Sequence, residues 1–112
     1  MEITVGTEGD ICIATVEEQR IDAQGAVAFK ESLRRQVPDQ AASVVLNLSR
    51  VDFIDSSGLG AIVATMKLLS PDRQLVLAGL TPAVDKVFRL TRMDKVFRIF
   101  MTLEEALDAE RV

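Results

Sequence analysis

Between residues 44 and 78 the chain sets down a short apolar run, a helical stripe and a second short apolar run, and this order most limits what it can fold into. Val44-Val45-Leu46-Asn47-Leu48 is short and apolar and reads as a strand buried on both faces, typical of a sheet interior. Leu59, Ile62, Val63, Met66 and Leu69 then recur at helical spacing, and Ser70-Pro71-Asp72 stops them. Gln74 to Ala78 repeats the strand reading and Gly79 closes it. A strand, an amphipathic helix and a strand in succession call for helices packed against a sheet.

The flanks extend the pattern. Ile3-Thr4-Val5 and Ile11 to Val16 are strand candidates around the turn Thr7-Glu8-Gly9-Asp10, which predicts an antiparallel hairpin. A helix is expected to start near Asp22, with Ala26, Phe29, Leu33 and Val37 as its apolar stripe, Gly25 in its first turn and Pro38-Asp39 as its stop. A third helix begins near Thr81-Pro82, where proline's missing N–H costs nothing, and shows Val84, Val87, Phe88 and Thr91 on one face. Phe97 to Phe100 reads as a last strand, with Phe88 and Phe97 assigned to the core. Thr102-Leu103-Glu104-Glu105 fits a capping box before a final helix carrying Leu103 and Leu107. The expected fold class is α/β, in the order β-β-α-β-α-β-α-β-α. That is a mixed sheet, an initial hairpin followed by alternating strands, with four helices against it. One domain spanning residues 1–112 is expected.

Composition removes several chemistries. There is no histidine, so neither a Ser-His-Asp nor a Cys-His nucleophile can be built. With one cysteine, Cys12, the chain can form no internal disulfide and no zinc site of the usual kinds, and Cys12 is read as a small core hydrophobe. Asp52 and Asp55 have the chemistry to hold Mg²⁺, but loop and cap aspartates are the favoured reading, and no metal is expected. Gly58 and Gly60 do not form a phosphate loop, because no Lys-Ser/Thr pair follows them. A net charge of -4 with no Trp or Tyr speaks against nucleic acid. No apolar run approaches the roughly 20 residues of a membrane span, and the first residues lack the pattern of a secretory signal. A cytoplasmic protein that inserts into no membrane, and is a monomer or a weak homodimer, is expected.

Asp55-Ser56-Ser57-Gly58-Leu59-Gly60 joins a strand to the best helical stripe. Asp55 suits the cap, since its oxygens can accept from free first-turn N–H groups and its charge suits the positive end of the helix dipole. Two glycines in one turn permit close approach of another backbone or of a partner. On residue physics alone, a capped helix packed tightly on the sheet is the favoured reading of the segment over a functional site.

The stretch from Val45 to Gly60, with Asp-Ser-Ser-Gly-Leu-Gly at its end, resembles the signature of STAS domains of the anti-sigma-factor-antagonist kind. Arg20-Ile21-Asp22-Ala23, Val76-Leu77-Ala78-Gly79-Leu80-Thr81-Pro82 and Leu103-Glu104-Glu105-Ala106-Leu107 are similar to further parts of that family, so the resemblance runs along nearly the whole chain. It departs in Arg20-Ile21 and in Gly25. The resemblance implies a STAS fold and a regulator that is not an enzyme and needs no cofactor. It implies phosphorylation at Ser57, with Ser56 the second choice; spacing alone does not choose between them. It implies a partner surface of Asp22, Asp55, Ser56, Ser57, Gly58, Leu59 and Gly60. The implied partners are an anti-sigma factor serine kinase with an ATP-binding kinase fold, captured by the unphosphorylated form, and a PP2C-type serine phosphatase. Two other roles of the same fold stay open: an accessory subunit of a lipid-transport ATP-binding-cassette complex, and a scaffold component of a sensory assembly. A phospho-receiver domain, using Asp52 or Asp55 as acceptor, fits poorly, because two strands open the chain.

Overall fold

The computed structural model describes residues 1–111. Five strands form one mixed sheet in the order β1-β2-β4-β6-β7: β1 (Ile3–Glu8), β2 (Ile11–Val16), β4 (Ser43–Asn47), β6 (Gln74–Ala78) and β7 (Arg98–Phe100). β1 and β2 are antiparallel and the other neighbours are parallel. The hairpin turns on Gly9, whose φ of 62° favours glycine over other residues. The helices are α1 (Ala26–Gln36), α2 (Ser56–Leu69), α3 (Pro82–Leu90) and α4 (Leu103–Glu110), and a 3₁₀ turn at Met93–Lys95 leads into β7. The expected mixed sheet and its four helices are therefore present.

The alternation of β4 explains the layering. Val44, Leu46 and Leu48 join Phe29 and Leu33 of α1, Ile62 of α2, and Val84 and Phe88 of α3 in the larger core. Val45 points the other way and packs with Val76, Ala78, Ala106 and Leu107 beneath α4. An interior strand covered on both faces has to be apolar where it is covered, as Val44, Val45 and Leu46 are. Phe88 meets Phe97 edge to face, with ring centroids 5.9 Å apart. Cys12 is fully buried, and desolvation pushes its thiol pKa up.

Three features differ from the expectation. First, α1 starts at Ala26, not at Asp22, with Gly25 as its N-cap. Asp22 instead organises the turn before the helix: its carbonyl accepts from the Gly25 amide at 3.0 Å and its Oδ1 at 3.3 Å. Second, two strands of two residues each, β3 (Arg20–Ile21) and β5 (Phe53–Ile54), form a separate parallel pair, Arg20 opposite Phe53 and Ile21 opposite Ile54. Third, the innermost face of α2 is made largely of small residues, Gly58, Ala61 and Thr65 beside Ile62 and Leu69, while Leu59, Val63 and Met66 flank it, partly buried. The helix approaches its neighbours closely, and small residues permit that.

Candidate functional site

The β3–β5 pair places two similar tripeptides side by side, Arg20-Ile21-Asp22 and Phe53-Ile54-Asp55. Each strand delivers an aspartate into the loop that precedes a helix. Asp55 is the N-cap of α2: its Oδ1 accepts from the Gly58 amide at 2.9 Å and its backbone carbonyl from the Leu59 amide at 2.9 Å. Its Oδ2 accepts from the Ala23 amide at 3.2 Å. One carboxylate thus caps α2 and fastens the Asp22–Gly25 turn beside it.

Ser56 and Ser57 occupy the first two positions of α2, and both are exposed. Among the described residues, neither of their backbone amides has a protein acceptor. Free N–H groups at the positive end of a helix suit an anion. Gly60 is also exposed, and a Cβ built there would meet nothing within 4 Å. The helix therefore presents two hydroxyls and a bare stretch of backbone to the outside.

Gly58 lies behind this surface. It is buried, and a Cβ there would overlap the carbonyl oxygen of Ile21 and stand 2.8 Å from the carbonyl carbon. Of the two close approaches that a glycine here permits, another backbone or a partner, the structure shows the first, β3 against α2. Of the other expected partner residues, Ser56, Ser57 and Gly60 are exposed, and Asp22, Asp55 and Leu59 are half-buried. All belong to the one neighbourhood that the Asp55–Ala23 bond ties together.

Arg20 and Phe53 complete the rim and were not singled out from the sequence. The Arg20 guanidinium stacks over the Phe53 ring at 4.1 Å, and its Nε donates to Asp22 Oδ2 at 3.3 Å. Phe53 remains 39% exposed, an aromatic left at the surface beside the serines' turn. The signal available in advance was the repeated Ile-Asp step, which marks two chain segments with the same local job.

The STAS domain family model matches residues 2–106. Over 109 residues the chain is 28% identical to the anti-sigma-F factor antagonist RsfB of Mycobacterium tuberculosis, covering 97% of this chain and 88% of RsfB. It is 27% identical over 99 residues to an anti-sigma-B factor antagonist of Staphylococcus aureus, covering 88% of this chain and 81% of that protein. The crystal structure of an anti-sigma factor antagonist from Mycobacterium paratuberculosis superposes with a TM-score of 0.89 at 29% identity, covering 99% of this chain and 94% of the other. The strand order, the capped serine turn and these matches lead to one assignment: the chain belongs to the STAS domain family.

Proposed function

We propose that this protein is an anti-sigma factor antagonist switched by phosphorylation of Ser57. The observation that carries the reading is the placement of Ser57: exposed in the first turn of α2, beside unpartnered amides, on a surface joined from two chain segments by Asp55. The relatives named anti-sigma factor antagonists support it. The partner of the unphosphorylated form is an anti-sigma factor with an ATP-binding kinase fold, whose capture releases a sigma factor. Phosphorylation ends the capture, and a PP2C-type serine phosphatase restores it. The chain acts by binding rather than catalysis, in the cytoplasm. Among the described residues, no helix is long and apolar enough to cross a membrane.

The chemistry of the switch is obstruction and charge. A phosphate adds about -1.5 to -2 charges at neutral pH. The fold accommodates it, because Ser57 faces outward and the free amides of Ser56 and Ser57 can receive phosphate oxygens. Asp55 already holds the turn through two hydrogen bonds, so little backbone rearrangement is needed. A dianion on the docking face, beside the Asp55 carboxylate, then repels the partner. A loss of about 3 kcal/mol weakens binding more than a hundredfold.

The test measures affinity for the host's kinase-fold anti-sigma factor by calorimetry, using wild type, Ser57→Ala and Ser57→Asp. Mass spectrometry after incubation with that kinase and ATP locates the phosphate. The reading expects Ser57→Ala to bind like wild type and take no phosphate, and Ser57→Asp to bind at least a hundredfold more weakly. Phosphate found on Ser56 moves the acceptor by one residue. Equal binding by all three proteins removes the switch.

A further inference from the structure

The opposite end of α2 carries a second feature, independent of the switch and roughly 20 Å from Ser57 at the rise of an α-helix. There the last turns of α1 and α2 enclose a cleft of about 170 Å³ with Leu33, Val37 and Leu69 among its lining residues. Three cations, Lys30, Arg34 and Arg73, line it against one carboxylate, Asp39. This local excess stands on a chain whose net charge is -4.

Arg73 is the informative member. It is half-buried, and its Nη1 donates to the Pro38 carbonyl at 3.1 Å. Among the described residues, no carboxylate pairs with it within 4.0 Å, whereas Arg34 is engaged by Glu31 at 3.0 Å. A guanidinium has five N–H donors in a fixed fork that matches a carboxylate. Arg73 is thus anchored by one hydrogen bond, at the wall of an apolar cleft, with donors to spare. Leu68 adds a rim that is 57% exposed.

We propose that this cleft binds a small amphipathic organic anion: one carboxylate seated on Arg73, with an apolar body of about benzene size against Leu33, Val37 and Leu69. The volume is right for such a body, since an apolar protein cavity of about 150 Å³ holds benzene. Lys30, exposed and among the lining residues, adds positive charge to the cleft.

The test is a titration of the ¹⁵N-labelled full chain, followed by amide shifts, with phenylacetate, phenylacetamide and inorganic phosphate as probes. Phenylacetate is expected to shift amides within residues 30–37 and 65–73, with a dissociation constant on the order of 1 mM for a ligand of this size. The neutral amide and bare phosphate should each bind about tenfold more weakly, as should phenylacetate to Arg73→Gln, one charge-assisted contact being worth about that factor. Lys30→Gln, on the exposed face of α1, should lose less. Equal binding of phenylacetamide or of phosphate overturns the proposal. So do undiminished binding to Arg73→Gln, an absence of saturable shifts, and shifts centred on residues 52–60. Should Arg73→Gln fail to fold, the comparison of the three probes on the wild type decides alone.

Discussion

The α-carbon of Gly58 lies against the backbone carbonyl of Ile21, leaving no room for a Cβ between α2 and β3. Two residues on, Gly60 faces open space. The two glycines look alike in the motif and differ in consequence. Gly58→Ala must push the β3–β5 pair off the helix and is expected to cost about 3 kcal/mol, the upper range of overpacking. Gly60→Ala gains helix propensity and is expected to stabilise by up to about 1 kcal/mol. Urea unfolding of both variants checks the opposite signs. If Gly60 serves as the bare approach for a partner, its alanine variant will also be the better-folded and poorer-binding protein.

Removal of the Asp55 carboxylate should open two places at once. Asp55→Ala loses the cap on Gly58 and the tether to Ala23, and a cap of this kind is worth about 0.5–2 kcal/mol. Amide hydrogen exchange should quicken at both Gly58 and Ala23. Asp55→Asn keeps one acceptor oxygen and should slow one of the two relative to alanine. Quickening at Gly58 alone would mean that the loop does not depend on the carboxylate.

Cys12 gives stability a pH dependence of known sign. Its thiol pKa is raised by burial above the usual 9.0, so the folded state keeps a proton that the unfolded chain releases. The contribution is fully present below pH 9 and is lost as pH rises through the folded-state value. Urea stability should therefore fall more steeply between neutral and strongly alkaline pH in wild type than in Cys12→Ala. Parallel curves would show that the thiol is not buried in solution.

Arg92 follows α3 with a φ of 61°, a conformation that a side chain rarely adopts and glycine adopts freely. Arg92→Gly is expected to raise stability by up to about 1 kcal/mol, read as an upward shift of Tm. A fall would indicate contacts of the arginine side chain that outweigh its backbone strain.

The long elements were legible because they carry a period. The α2 stripe, the interior strands and the Thr102 cap, whose Oγ1 accepts from the Glu105 amide at 3.1 Å, all follow from residue spacing. β3 and β5 were not legible, since two residues have no period, and their pairing spans more than thirty positions of sequence. The start of α1 was misplaced because Asp22 has the chemistry of a cap and uses it on a turn. At the site, the serine turn and its aspartate could be read directly. The different tasks of Gly58 and Gly60, and the Arg20–Phe53 stack, depend on what lies across from them in space.

The Asp55–Ala23 hydrogen bond has one more consequence. The exposed face around Ser57 is assembled from residues 20–25 and 53–60, two segments paired through β3 and β5 and tied by that bond. A peptide copying residues 52–62 would carry the serine without the Asp22 turn, and a segment so short does not sustain a helix in water. Any enzyme that reads this face therefore reads a conformational epitope. On the proposed function, the integrity of the fold and the state of the serine would be inspected in a single contact, and a misfolded copy would be invisible to both partner and modifying enzyme.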